Sequence, residues 1–153
     1  MKKNAVVLVA LIWSVLLYNA LGALYFNGNA VVDMGANKFP GLTNLTLEVW
    51  ICSSNAPALN DYASIAGQGY LATGDGFGIH FNGDKTLNFQ VRNSKPASVS
   101  NAAKTTYGFD GMWHHVAGVR QGDETLLYLD GIMVNVSTQA LPDAFNTTAK
   151  FAL

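Results

Sequence analysis

His80, Asn88, Gln90 and Arg92 fall at alternate positions of two neighbouring segments, Phe77–Phe81 and Leu87–Arg92. In an extended chain successive side chains point to opposite faces. These four therefore line up on one side, and Phe77, Ile79, Phe81, Leu87, Phe89 and Val91 line up on the other. An imidazole, two amides and a guanidinium in one patch can hydrogen-bond the hydroxyls of a sugar. Glu48 and Trp50 face away from Leu45, Leu47, Val49 and Ile51 in the same manner. If that strand shares a sheet with the hairpin, the surface gains a carboxylate and an indole on which a pyranose face can stack. The plainer alternative is that a loop covers Trp50 and that the polar row is the wet face of an antiparallel sheet.

Other candidate chemistry is weaker. His114 and His115 are adjacent, so on a strand they point to opposite faces and cannot ligate one zinc ion from one side. Cys52 is the only cysteine, which excludes an internal disulfide and leaves a half-buried free thiol or a bridge to another chain. No Gly-x-Ser-x-Gly segment supports a serine nucleophile. Most aspartates adjoin glycine (Asp75, Asp84, Asp110, Asp123), where turn formation explains them without a metal. Three glycosylation sequons begin at Asn44, Asn135 and Asn146.

The elements that must hold these residues are strands. No segment keeps an i, i+3, i+4, i+7 apolar spacing over helical length. Short extended runs alternate instead with Gly, Asn, Asp and Pro turns. The best hairpin joins Phe77–Phe81 to Leu87–Arg92 through residues 82–86, setting Phe81 opposite Leu87 and Ile79 opposite Phe89. A second joins Val116–Arg120 to Thr125–Asp130. There Leu127 is expected opposite Val119, Leu129 opposite Ala117, and Tyr128 over the bare backbone of Gly118. Residues 93–104, rich in Ser, Ala and Asn, read as an exposed loop, and Trp113 reads as a core anchor. One apolar row per strand implies two sheets stacked face to face, an all-β antiparallel sandwich.

Length and charge narrow the class. A chain of 153 residues is one domain, and a net charge of −1 gives no basic field for nucleic acid. Residues 1–22 have a leader pattern: Lys2 and Lys3, an apolar run over Ala5–Leu17, and the small residues Ala20 and Gly22 before a cleavage point after Gly22. An uncleaved anchor is the alternative, since apolar character resumes at Leu21–Phe26. After cleavage the mature chain, 23–153, is mildly acidic and has no membrane span.

Several stretches then resemble one family in its usual order. Ala23–Gly28, Leu45–Ile51, the Phe77–Phe81 and Leu87–Val91 hairpin, and Trp113–Ala117 with Leu127–Gly131 are similar to the laminin-G-like, concanavalin A-like jelly rolls. The likeness runs over residues 23–136. It implies a jelly-roll sandwich in a secreted or surface-displayed protein, and here one lacking its last strands, with an open sheet edge. It implies calcium as a possible cofactor, with Asn27, Asp33 and Asp130 as the oxygen donors. Glucanases of the superfamily use a strand reading Glu-x-Asp-x-x-Glu, and its lyases use a Tyr/Lys-rich strand. This chain has neither, and its only glutamates are Glu48 and Glu124. The expected function is a non-catalytic binding module for glycans or extracellular proteins. A degenerate carbohydrate-active enzyme (glucanase-like or polysaccharide-lyase-like) and a structural adhesion or spacer domain are the alternatives.

Overall fold

The apolar rows of the extended segments meet as two six-stranded antiparallel sheets in a computed structural model of the chain. It describes residues 5–8, 24–26, 31–36, 43–69, 76–93, 99–141 and 149–153, and every regular element among them is a strand. In chain order these are β1 (Ala5–Leu8), β2 (Leu24–Phe26), β3 (Asp33–Ala36), β4 (Asn44–Ser53), β5 (Tyr62–Gln68) and β6 (Gly76–Asn82). There follow β7 (Thr86–Asn93), β8 (Val99–Thr106), β9 (Trp113–Gln121), β10 (Glu124–Leu129), β11 (Ile132–Thr138) and β12 (Lys150–Ala152). The first sheet runs β11-β10-β9-β4-β1-β2 and the second β3-β12-β5-β6-β7-β8. The two-sheet all-β sandwich expected from the alternation is therefore the fold. The backbone of β1, inside the expected leader, pairs with β4 on one side and β2 on the other.

The core lies between the sheets. β4 contributes Val49 and Ile51, β9 Val116 and β10 Leu127. From the facing sheet come Ile79 and Phe81 of β6, Leu87, Phe89 and Val91 of β7, and Ala103 of β8, all buried. Burying each large side chain contributes about 1.5–3 kcal/mol. At Gly118 an added Cβ would stand 2.1 Å from Cγ of Phe89. The glycine thus makes room for a phenyl ring from the opposite sheet.

The β6–β7 register is as expected, with Phe81 opposite Leu87 and Ile79 opposite Phe89. The β9–β10 register is not. Gln121 pairs with Glu124 around the two-residue Gly122-Asp123 turn, with Gly122 at φ +58°, as the first position of such a turn favours. Leu127 therefore faces Gly118, Tyr128 faces Ala117 and Leu129 faces Val116, one residue from the expected pairing. It is Phe89 rather than Tyr128 that covers Gly118. The loop expected over 93–104 is also corrected. Val99–Thr106 forms the edge strand β8, and Ala103, small enough to sit opposite Phe89, closes that end of the core.

Trp113 is not a core anchor. Inward-facing Val116 fixes the parity of β9, so His114 turns in with it and Trp113 and His115 turn out. Trp113 is 44% exposed.

Candidate functional site

The outer face of the second sheet gathers the polar row. The pairs Tyr62↔Asn82, Ser64↔His80, His80↔Asn88, Asn88↔Lys104 and Gln90↔Ala102 place these residues on one side of four consecutive strands. Gly78 pairs with Gln90, and at Gly76, which pairs with Arg92, the backbone of Gln68 and Gly69 fills the place a Cβ would take. The result is a basin of about 360 Å³ lined by Tyr62, His80, Asn82, Asn88, Gln90, Arg92, Ala102 and Lys104. Two of its lining groups are cationic side chains and none is a carboxylate. Past Tyr62 and Asn82 it adjoins a smaller hollow of about 300 Å³ that carries Asp61 and Asp84.

The basin floor is built of buried polar groups. His80 is buried, and burial drives its pKa down to about 4. Near neutral pH the ring is therefore uncharged, and Asn88 Nδ2 donates to His80 Nε2 at 3.2 Å. Asn88 is only 5% exposed, and its amide oxygen has no hydrogen-bond partner among the described residues. A buried acceptor left unmet costs about 1–3 kcal/mol. Tyr62 sits at the rim with its ring exposed and edge-on to His80 at 6.0 Å.

Similarity to known proteins agrees with this architecture. A family model described as the concanavalin A-like lectin/glucanases superfamily, laminin G type, matches residues 26–153. The chain belongs to that superfamily. Among solved structures, the mouse laminin α1 chain, domains LG4-5, is similar over 99% of this chain at a TM-score of 0.63 and 12% identity. That likeness concerns the fold, and this chain spans 34% of the laminin chain's length. No curated protein matches in sequence.

Within this laminin G-like frame, the expected six-residue surface divides. His80, Asn88, Gln90 and Arg92 share the basin, whereas Glu48 and Trp50 lie on β4 in the other sheet and face the opposite side of the sandwich. The reason is topological: β4 pairs with β9 and β1, so its outward row can never join that of β6 and β7. Tyr62, Asn82 and Lys104 complete the basin and were not expected there. Asn82 and Lys104 continue the alternation of β6 and β8, but their membership needed the strand order.

Glu48 and Trp50 have their own neighbours. The Trp50 and His115 rings are 5.2 Å apart, and Glu48 Oε2 lies 3.5 Å from His115 Nε2. On the inner side of the same strand, His114 is clamped by two carboxylates. Its Nδ1–H donates to Asp130 Oδ2 at 2.7 Å, and Nε2 lies 3.3 Å from both Asp110 oxygens. Hydrogen bonding to Asp130, and secondarily to Asp110, raises the His114 pKa above its usual value. His114 in turn holds Asp130 below the ordinary carboxylate range. Cys52 is a half-buried free thiol whose Sγ donates to the Gly111 carbonyl at 3.0 Å.

Two of the three expected calcium donors stand apart. Asp33 stands on β3 of the second sheet in an ion pair with Lys150, and Asp130 stands in the β10–β11 turn of the first sheet, bound to His114 and the His115 amide. Asn27 lies outside the described residues. Among the described residues no group of three His, Cys, Asp or Glu side chains is arranged to hold a metal ion. Asp33 and Asp130 do not fit a common calcium site. No described helix is long and apolar enough to cross a membrane.

Proposed function

We propose that this laminin G-like domain is a secreted or surface-displayed, non-catalytic binding module, and that the β5–β8 basin takes an acidic glycan. The observation that carries the reading is the convergence of Arg92 and Lys104 with the amides of Asn82, Asn88 and Gln90 in one basin lined by no carboxylate. A guanidinium and an ammonium complement sulfate or carboxylate groups. The exposed Tyr62 ring offers a stacking edge. Laminin G-like domains are typically extracellular binding modules, which supports the compartment, as does the leader pattern of residues 1–22.

The carboxylate geometry argues against a glucanase. A retaining site needs two carboxyl groups about 5–5.5 Å apart. Glu48 pairs with Ala117 and Glu124 with Gln121, so they differ by four positions along β9. At about 3.3 Å per residue that separates their backbones by roughly 13 Å.

Calorimetric titration with a sulfated hexasaccharide, against its desulfated form, tests the reading. We expect saturable, salt-sensitive binding of the sulfated form, weakened at least tenfold by the Arg92→Ala, Lys104→Ala double variant. Equal affinity of the double variant and the parent protein would refute the basin as the site.

A further inference from the structure

The outer face of the first sheet presents a second, chemically different surface. The pairs Trp50↔His115 and Cys52↔Trp113 make the two tryptophans diagonal neighbours on adjacent strands, with His115 beside them. Side chains in that relation lie within reach of one ligand. Trp50 is 42% and Trp113 44% exposed, although indoles of a folded domain are ordinarily well covered. The two are also the only tryptophans among the described residues, so both large indoles of the folded domain are spent on this one face.

We propose that Trp50 and Trp113 form a stacking platform for a neutral glycan chain, with Glu48 and His115 hydrogen-bonding its hydroxyls. Three observations favour this occupant. The rings stand on neighbouring strands of one sheet, so they present a broad face to a chain rather than a pocket to a single small group. Polar groups alternate with the rings: the exposed Glu48 carboxylate accepts from hydroxyls, and His115 stands between it and Trp50. A pyranose has the matching combination of apolar C–H faces and a hydroxyl rim. Finally, charge selects against acidic ligands. The outward residues of β4 and β9 (Asn44, Thr46, Glu48, Trp50, Cys52; Trp113, His115, Ala117, Val119, Gln121) include a carboxylate and no lysine or arginine. The platform is independent of the β5–β8 basin, because the two lie on opposite sides of the sandwich.

Tryptophan emission and calorimetry with cellohexaose, laminarihexaose, mannohexaose and xylohexaose test the proposal. At least one should bind saturably with a blue shift of the emission. Trp50→Ala and Trp113→Ala should each weaken that binding about tenfold or more, and Glu48→Gln by a few-fold. The Arg92→Ala, Lys104→Ala double variant should bind it as the parent does, which separates this surface from the basin. Both tryptophans are exposed, so their loss should leave the melting temperature within a few degrees, and Trp50→Tyr should rescue part of the affinity. Failure of all four sugars to bind would overturn the platform, as would binding unchanged in both alanine variants. Concentration-dependent dimerisation abolished by the same two variants, without sugar competition, would overturn it in favour of a self-association face.

Discussion

On the outer face of β5–β8, amides and two cations surround a basin whose floor holds an uncharged histidine. On the outer face of β4 and β9, two indoles flank a histidine that touches a carboxylate. Both faces come from the same period-two alternation, and both back onto the same core. What separates them is burial of the polar groups. His80 and Asn88 are shut in by their neighbours and hydrogen-bond each other. Glu48 is solvated and His115 half-buried, and the two flank the rings beside them.

The largest effect should remove both faces together. Gly118→Val would drive a side chain into the Phe89 ring, where even a Cβ stands 2.1 Å from Cγ. A loss of about 3 kcal/mol or more is expected, read as a collapse of the melting temperature. A variant as stable as the parent would show that the sheets can separate and that the two faces are not held by one core.

Acid should then act through the basin side. His80 has a folded pKa of about 4 against 6.5 for the free side chain, so between those values the unfolded chain binds the extra proton. Stability is full above about pH 6.5 and falls as pH drops towards 4, by up to roughly 3 kcal/mol. His114 has the opposite sign: its stabilisation is complete below its ordinary value and is lost as pH rises through its raised one. The lowered carboxylates Asp110 and Asp130 lose theirs as pH falls below the ordinary carboxylate range. The window between pH 6.5 and 4 therefore belongs to His80. Urea unfolding across that window should flatten in His80→Gln; an unchanged slope would assign the acid sensitivity elsewhere.

A smaller change sharpens the contrast on the other sheet. Asp130→Asn removes the carboxylate that holds His114 and should cost about 1 kcal/mol at neutral pH. The His114 titration, followed by its ring resonances, should move down towards its ordinary value. A resonance that stays in place would mean that Asp110 alone sustains the shift.

Much of this arrangement is legible in the sequence. Alternation over Leu45–Cys52 and Phe77–Phe81 assigned inside and outside correctly, because each strand has one apolar row and a side-chain period of two. The same rule, counted back from Val116, places Trp113 outside; reading it as an anchor followed residue type instead of parity. The Gly122-Asp123 turn likewise dictated the β9–β10 register, since a two-residue loop leaves only one pairing. Val99–Thr106 was not legible locally. Its Ser, Ala and Asn become a strand only because β7 offers an edge and the space near Phe89 suits Ala103. Which sheet β4 joins was equally hidden, for it pairs with β9 more than sixty residues later, and that one fact splits the expected site in two.

Amide chemical-shift mapping with a sulfated hexasaccharide addresses the basin most directly. Titration should move the resonances of Tyr62, His80, Asn88, Gln90, Arg92 and Lys104 together along one binding curve and leave Trp50, Trp113 and His115 in place. Shifts confined to the β4–β9 face, or no saturable shifts in the β5–β8 sheet, would contradict the account.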